Sequence, residues 1–244
     1  MKPAHDLPTQ ETLAFVRDAL PEPCRVLEVG CGRGHLAAEL VRLGYQVVGL
    51  DADPACVEEA RGLGVDARAA TFPDLRSDFH EDAYDAVLFT RSLHHVTPLE
   101  PALRAASARL RAGGLLVVED WSWTLVDRAT AAWAYGMIRL GRAAGLLRAE
   151  EWDLEAEPLR AWRADRRGHE IHDEGAMLAA AQGSFQVGRL ERAPYFYRYF
   201  ARELEGHANG RAVAAAVLDT ETRLIASGAI VPLGLRFTGR PWSG

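Results

Sequence analysis

The sequence predicts an α/β fold built on a doubly wound, mostly parallel sheet, and three observations carry that prediction. An apolar run, Val26–Val29, stops at three alternate glycines, Gly30, Gly32 and Gly34, and a helix-like pattern then begins. A second apolar run, Val47–Leu50, ends in the carboxylate of Asp51. Beyond it, short apolar runs and helix-period segments alternate as far as Glu119, which is the signature of βαβ units wound in one hand.

The elements follow in order. Thr9 to Leu20 opens Thr-Gln-Glu-Thr and places Leu13, Val16 and Leu20 on one side, so it reads as a short amphipathic helix. The first strand ends at the glycines, whose missing Cβ atoms permit positive φ and close approach of a ligand to the backbone. Leu36, Leu40 and Leu43 recur at helical spacing until Gly44, and Gln46–Leu50 forms the second strand. Pro54–Arg61 is the next helix, with Asp53 as its cap and Pro54 in its first turn. Val65–Ala69, Tyr84–Phe89 and Leu115–Glu119 supply three more strands, with a helix over Leu99–Leu110. From Trp121 to about Gly168 the pattern is helical, with Val126, Ala129, Trp133, Met137 and Leu140 on one face. A helix over Asp173–Ala181 precedes a strand at Phe185–Leu190 that continues toward Tyr195-Phe196-Tyr197. A helix over Arg211–Ile225 and an apolar run from Ile230 to Phe237 close the chain.

Composition bounds the function. The 244 residues fit one sizeable domain with a modest insertion, and no apolar run approaches the length of a membrane span. A net charge of -6 repels polyanions, which argues against nucleic acid as a partner; Arg163-Ala164-Asp165-Arg166-Arg167 reads as a solvated helix face. Cys24, Cys31 and Cys56 match no zinc spacing, and His169 with His172 has no convergent partner, so no metal is expected. Met1–Asp6 shows no targeting pattern, and the expected residence is cytoplasmic.

At Glu28-Val29-Gly30-Cys31-Gly32-Arg33-Gly34 the chain resembles the class I S-adenosylmethionine-dependent methyltransferases. The resemblance continues at Tyr84–Phe89, at Leu93-His94-His95-Val96 and at Leu110–Asp120. Nicotinamide enzymes instead space their glycines G-x-G-x-x-G, and the sixth place here is His35. The resemblance implies a Rossmann-like sheet of seven strands with the last antiparallel, and one methyltransferase domain over 1–244. It also implies a helical insertion over 121–183 that covers the acceptor. S-adenosylmethionine becomes the expected cofactor and a small molecule the expected methyl acceptor, at oxygen or nitrogen ahead of carbon. Oligomeric state is left open. Two rival readings are a non-catalytic cofactor-binding module and a nicotinamide-dependent oxidoreductase; methylation of a protein target is a further one.

On that basis the expected cofactor residues are Glu28, Gly30, Cys31, Gly32, Gly34, Asp51, Ala52, Thr71, Phe72, Thr90 and Arg91. Asp51, at the tip of a strand, suits the ribose hydroxyls. Glu28 either orients the glycine turn or reaches the cofactor's ammonium. Cys31 also reads as a small residue packed inside the turn. The family often carries an acidic residue after its third strand, but here Ala69-Ala70-Thr71-Phe72 has no carboxylate before Asp74. Arg91 either meets a carboxylate of a ligand or forms a salt bridge. His94 and His95 follow a strand at the carboxyl edge of the sheet, where a neutral imidazole can take a proton. Asp120, on the same edge, either orients such a histidine or holds an acceptor hydroxyl, while Glu119 faces the core rim. Tyr195, Tyr197 and Tyr199 would share one face of a strand. Trp121, Trp123 and Trp133 suit an aromatic acceptor or an ordinary core.

Overall fold

The computed structural model describes residues 6–20, 22–73, 83–150, 152–167 and 171–242, with the backbone alone described at 165–167. Asp74, His169 and residues 1–5 of the N-terminal stretch lie outside the described residues, as do the side chains of Asp165, Arg166 and Arg167.

The chain runs α1 (Asp6–Ala19), β1 (Arg25–Val29), α2 (His35–Arg42), β2 (Gln46–Asp51), α3 (Pro54–Gly62), β3 (Asp66–Ala69) and β4 (Tyr84–Thr90). It continues α4 (Leu99–Arg109), β5 (Leu110–Trp121), α5 (Arg128–Ala143), α6 (Pro158–Arg167) and α7 (Glu174–Ser184). It ends β6 (Phe185–Ala193), α8 (Tyr197–Glu203), α9 (Gly210–Ala226) and β7 (Gly234–Pro241). Single 3-10 turns occupy Leu93–His95 and Trp123–Leu125. The seven strands form one sheet in the order β3-β2-β1-β4-β5-β7-β6, parallel through β5 with β7 antiparallel. Strand order reverses at β1, whose neighbours are β2 and β4, and ligands of open α/β sheets bind at that crevice.

The side-chain alternation of the strands explains why both faces are dry. Leu27 and Val29 share one cluster with Val48, Leu50, Val87, Phe89, Leu116 and Val118. Val26 joins Val47, Ala86, Leu88 and Val117 on the other face, under Leu36 and Leu40 of α2 and Val57 of α3. A period of two with both sets buried is what a parallel sheet between helix layers demands. Each fully buried Leu or Val contributes about 1.5–3 kcal/mol. Helix ends are set by local chemistry: Asp53 accepts the Ala55 N–H at 2.9 Å, Asp127 that of Thr130 and Asp173 that of Ala176, both at 2.8 Å. Gly44, at φ 93°, follows the end of α2.

Contacts divide the chain into two compact units. The sheet unit comprises Glu11–Asp120, His172–Glu191 and Leu235–Gly244. Within it, α7 packs Met177, Ala180 and Ala181 beside Leu99, Ala102, Leu103 and Ala106 of α4; α7 therefore belongs here although it falls within the expected 121–183 insertion. The helical unit comprises Met1–Gln10, Trp121–Ile171 and Arg192–Gly234. It has its own core of Tyr135, Ile138, Trp162, Phe196, Tyr197 and Phe200 with their neighbours.

Several expectations are corrected in detail. The strand after Phe185 does not run on to Tyr197, because it ends at Ala193 before Pro194 and the chain turns at Phe196 into α8. Tyr195 and Tyr199 therefore meet at i,i+4 spacing, with ring centroids 6.5 Å apart, and do not alternate along a strand. The buried face of α5 is Thr130, Ala131, Ala134, Tyr135, Ile138 and Gly141, one position round from the face of large residues, and Leu140 is exposed. Small residues face inward there because the neighbours come close: a Cβ on Gly141 would stand 2.5 Å from Leu147. The last strand starts at Gly234, not Ile230, and β5 starts at Leu110.

Candidate functional site

The glycine turn follows β1. Gly30, Gly32 and Gly34 have φ of 74°, 52° and 76°, so each occupies the left-handed region that side chains resist. Gly30 is also sterically required, since a Cβ there would stand 2.4 Å from Cβ of Ser92. Gly34 faces Ala60 at 2.6 Å, whereas Gly32 faces open space. The turn is tied to β2: the N–H groups of Gly30 and Cys31 donate to the Leu50 carbonyl at 2.7 and 2.9 Å. Asp51 closes it, its Oδ2 accepting from the Gly32 N–H at 2.7 Å and its Oδ1 from the Asp53 N–H at 2.9 Å. A carboxylate accepts about four hydrogen bonds, so both oxygens keep a lone pair for a ligand.

Cys31 is buried against Gly49, where a Cβ would stand 2.8 Å from its sulfur. Burial pushes its thiol up to about 12, so it stays protonated at neutral pH. Glu28 is 1% exposed beneath the turn. Its Oε1 accepts from Thr90 Oγ1 at 2.9 Å, and its Oε2 has no hydrogen-bond partner. Burial pushes the Glu28 carboxyl up to about 7, against the opposing pull of the Thr90 hydrogen bond and the Arg91 charge.

A cavity of about 370 Å³ opens at the carboxyl edge of β1, β2 and β4. Of the expected cofactor residues it brings together Gly30, Asp51, Ala52, Thr71, Phe72 and Arg91, and it adds His95 from the histidine pair. Glu28, Cys31, Gly32, Gly34, Thr90, His94 and Asp120 are not on its wall. Ser92, Val96 and Thr97 are, and sequence reasoning missed them. Ser92 donates its hydroxyl to the Val29 carbonyl, which fixes the segment after β4 against the glycine turn. Phe72 is buried and meets Phe89 edge-on at 5.8 Å, so it anchors the loop after β3.

The segment after β4 also sets the histidines. His94 is buried, and its Nδ1 lies 2.7 Å from Oδ1 of the fully buried Asp120. The His94 N–H donates to Oδ2 of the same carboxylate at 3.2 Å. His95 is exposed at the cavity, its ring 4.0 Å from that of His94 and tilted by 45°. His172 donates its N–H to the His94 carbonyl at 2.9 Å, and its Nε2 lies 3.0 Å from Thr97 Oγ1. Arg91 sits at φ 61° with its N–H donating to the Glu119 carbonyl at 2.6 Å. Its guanidinium lies 3.6 Å from the Glu119 carboxylate and donates to Thr12 at 3.1 Å, while the residue also lines the cavity. Glu119 is buried and not at a rim: Arg236 holds it with Nε and Nη2 on Oε1 at 2.8 and 2.7 Å, and Thr12 donates to Oε2.

In the helical unit, Trp121 stacks on Tyr195 at 5.5 Å and meets Trp162 edge-on at 6.1 Å. The gap between Trp133, Trp162 and Phe196 has no space for a water, so these rings are core. Among the described residues no group of three His, Cys, Asp or Glu side chains could hold a metal ion, and no helix is long and apolar enough to cross a membrane.

Comparison with known proteins agrees with this geometry. Residues 5–171 match the methyltransferase domain family. The chain is 34% identical over 153 residues to a ubiquinone biosynthesis O-methyltransferase of Xanthomonas axonopodis pv. citri, a span covering 60% of this chain and 61% of that protein. It is 36% identical over 116 residues to a protein of the same name from Methylocella silvestris, covering 45% and 44%. The chain thus spans about three fifths or less of these curated relatives. The fold is shared with geranyl diphosphate C-methyltransferase of Streptomyces coelicolor A3(2), at a TM-score of 0.57, 17% identity and 95% and 80% coverage. It is shared equally with the cyclase SpnF, at 0.59, 21%, 96% and 82%, so the fold by itself does not fix the chemistry. Sheet order, glycine turn and the match over 5–171 together make this chain a member of the class I S-adenosylmethionine-dependent methyltransferases.

Proposed function

We propose that the protein is a cytoplasmic enzyme that transfers the methyl group of S-adenosylmethionine to an oxygen of a small-molecule acceptor. The observation that carries this reading is the cavity walled by Gly30, Asp51 and His95 at the point where strand order reverses. The residues fit the cofactor: Asp51 has lone pairs to spare at the wall, Gly32 leaves open space where a side chain would stand, and Glu28 keeps a buried oxygen without a partner. The names of the curated relatives favour oxygen over nitrogen. The three cysteines are free thiols, in keeping with a reducing compartment.

The cofactor supplies a sulfonium methyl group, whose transfer leaves the bonding electron pair on sulfur. Asp51 accepts the ribose hydroxyls, and the backbone of the glycine turn positions the remainder. His95, on the cavity wall, takes the proton that the acceptor hydroxyl loses as the new carbon–oxygen bond forms. His94, fixed by Asp120, holds the His95 ring from behind.

Calorimetric titration with S-adenosylmethionine and S-adenosylhomocysteine, with NAD as the control, tests the reading. Saturable binding of the first two and none of NAD is expected. Asp51→Ala weakens both by about tenfold to a hundredfold, the worth of one or two hydrogen bonds to a charged group. Binding of NAD alone, or unchanged affinity in Asp51→Ala, overturns it.

A further inference from the structure

Glu28 is a buried acid with no part in the proposed chemical step, and its surroundings differ from those of the neighbouring buried acids Glu119 and Asp120. Glu119 is held by two hydrogen bonds from Arg236 and one from Thr12. Asp120 accepts from the His94 backbone and faces its ring. Glu28 receives a single neutral donor, Thr90, and its second oxygen is buried with nothing to accept. A carboxylate in that state bears the full cost of lost ionic hydration, whereas a neutral carboxyl bears only the smaller cost of a buried neutral polar group.

The charges around Glu28 belong to the cavity wall. Arg91 pulls it toward the ionised form, and Asp51 pushes the other way. The Cys31 thiol beside it stays neutral at physiological pH. Thr90, on β4, is uncharged. With Arg91 already engaged by Glu119 and Thr12, the local balance at Glu28 is open to any charge that arrives among Gly30, Asp51 and Arg91.

We propose that Glu28 is a specificity-determining residue that reads ligand charge through its proton: in the free protein at neutral pH it is shared between the acid and its carboxylate, and it gives up its remaining proton to solvent when a cationic ligand occupies the cavity. This rests on the cofactor reading above, because S-adenosylmethionine is a cationic ligand by virtue of its sulfonium and ammonium groups. The O–H bond of the carboxyl breaks, the electron pair stays on oxygen, and the carboxylate that forms favours the ligand's positive charge. The upward displacement of this carboxyl to about 7 places the exchange in the physiological range. Cofactor affinity consequently rises as pH increases through neutrality, since the protonated acid competes with the ligand.

The test is calorimetric titration of the full chain with S-adenosylmethionine at pH 7 in two buffers of different ionisation enthalpy. The dependence of the apparent heat on buffer gives the protons released. The ligand's amino group also titrates near this pH, so the quantity to read is the difference between the wild type and Glu28→Gln. Gln keeps an acceptor for Thr90 while removing the proton. The expected difference is about half a proton at pH 7. An equal release from the two proteins overturns the proposal. If Glu28→Gln does not fold, 13C labelling of glutamate side chains follows the same group in the wild type. One buried carboxyl signal titrates near neutrality in the free protein and is fixed in its ionised position when the ligand saturates; a signal ionised throughout, or unchanged by ligand, overturns the proposal. Failure to bind S-adenosylmethionine at any pH removes the cofactor reading itself, whereas binding without proton release removes only this inference.

Discussion

Nδ1 of His94 lies 2.7 Å from Oδ1 of Asp120, a carboxylate with no solvent exposure that also accepts the backbone N–H of His94. An acceptor-only partner at that distance requires the proton of a neutral imidazole to sit on Nδ1. The carboxylate thus fixes both the tautomer and the ring plane of His94, and through a 4.0 Å ring contact it fixes the backing of His95. Asn at position 120 presents an amide that can donate to Nδ1 and reverse the tautomer without emptying the site. Asp120→Asn is expected to lower kcat about tenfold to a hundredfold at saturating cofactor, with cofactor Kd unchanged. His95→Gln is expected to lower kcat by about a hundredfold or more, the range for loss of a general base. Single-turnover rates beside calorimetric Kd values separate the two effects, and a parallel loss of cofactor affinity in Asp120→Asn would show that the carboxylate only holds the fold.

The three glycines of the turn are not equivalent, and the difference is measurable. Gly30→Ala drives a methyl group to within 2.4 Å of Ser92 in a segment pinned by the Ser92 hydroxyl, on top of a left-handed backbone. Strain and displaced packing together should cost about 2–4 kcal/mol. Gly32→Ala meets nothing, so only the backbone term of about 1 kcal/mol remains. Urea denaturation is expected to rank Gly30→Ala well below Gly32→Ala in stability. Cofactor titration is expected to show the Gly32→Ala protein folded yet weakened in binding, because its methyl group occupies space left open beside Asp51. Equal destabilisation by the two substitutions would contradict the steric distinction.

These contrasts show how far the sequence can be read. The strand-turn-helix at Val26–His35, the carboxylate at Asp51 and the histidines after β4 were legible because backbone demands and strand ends leave local marks. Ser92 and Thr97 carried no such mark: a serine or threonine in a loop is ordinary, and only the proximity of Ser92 to Gly30 gives it a role. The partner of Glu119 was equally hidden, since Arg236 lies 117 positions away. Tyr195 to Tyr199 misled for a related reason. Aromatic residues at alternate positions favour a strand locally, but Tyr195 and Tyr199 both pack on Trp121 in a helical core, and tertiary contact overrode local preference.

The device that holds that segment in a helix is Glu221 of α9. Its Oε1 accepts the N–H groups of Tyr195 and Phe196 at 2.7 and 2.9 Å, and its Oε2 accepts that of Tyr197 at 2.9 Å. Phe196 and Tyr197 are the N-cap and first residue of α8, whose N–H groups the helix itself leaves without partners, Tyr195 directly precedes them, and no side chain within the segment caps them. Glu221→Ala strands three N–H groups in a buried site and is expected to cost at least about 3 kcal/mol. Glu221→Gln keeps a carbonyl oxygen for two of the donors but turns an amide NH2 toward the third, so an intermediate loss is expected. Burial raises the Glu221 carboxyl above its ordinary value despite the three donors and the nearby Arg198 charge. A carboxyl raised in the folded state contributes stability that is complete below its unfolded value and fades as pH rises through the folded one. Gln, which does not titrate, lacks that loss. The stability gap between wild type and Glu221→Gln should therefore narrow as pH rises above the ordinary glutamate range. Denaturation followed by tryptophan fluorescence at several pH values measures the gap, and one that widened with pH would mean that the three N–H groups outweigh burial and that Glu221 caps α8 chiefly as a carboxylate.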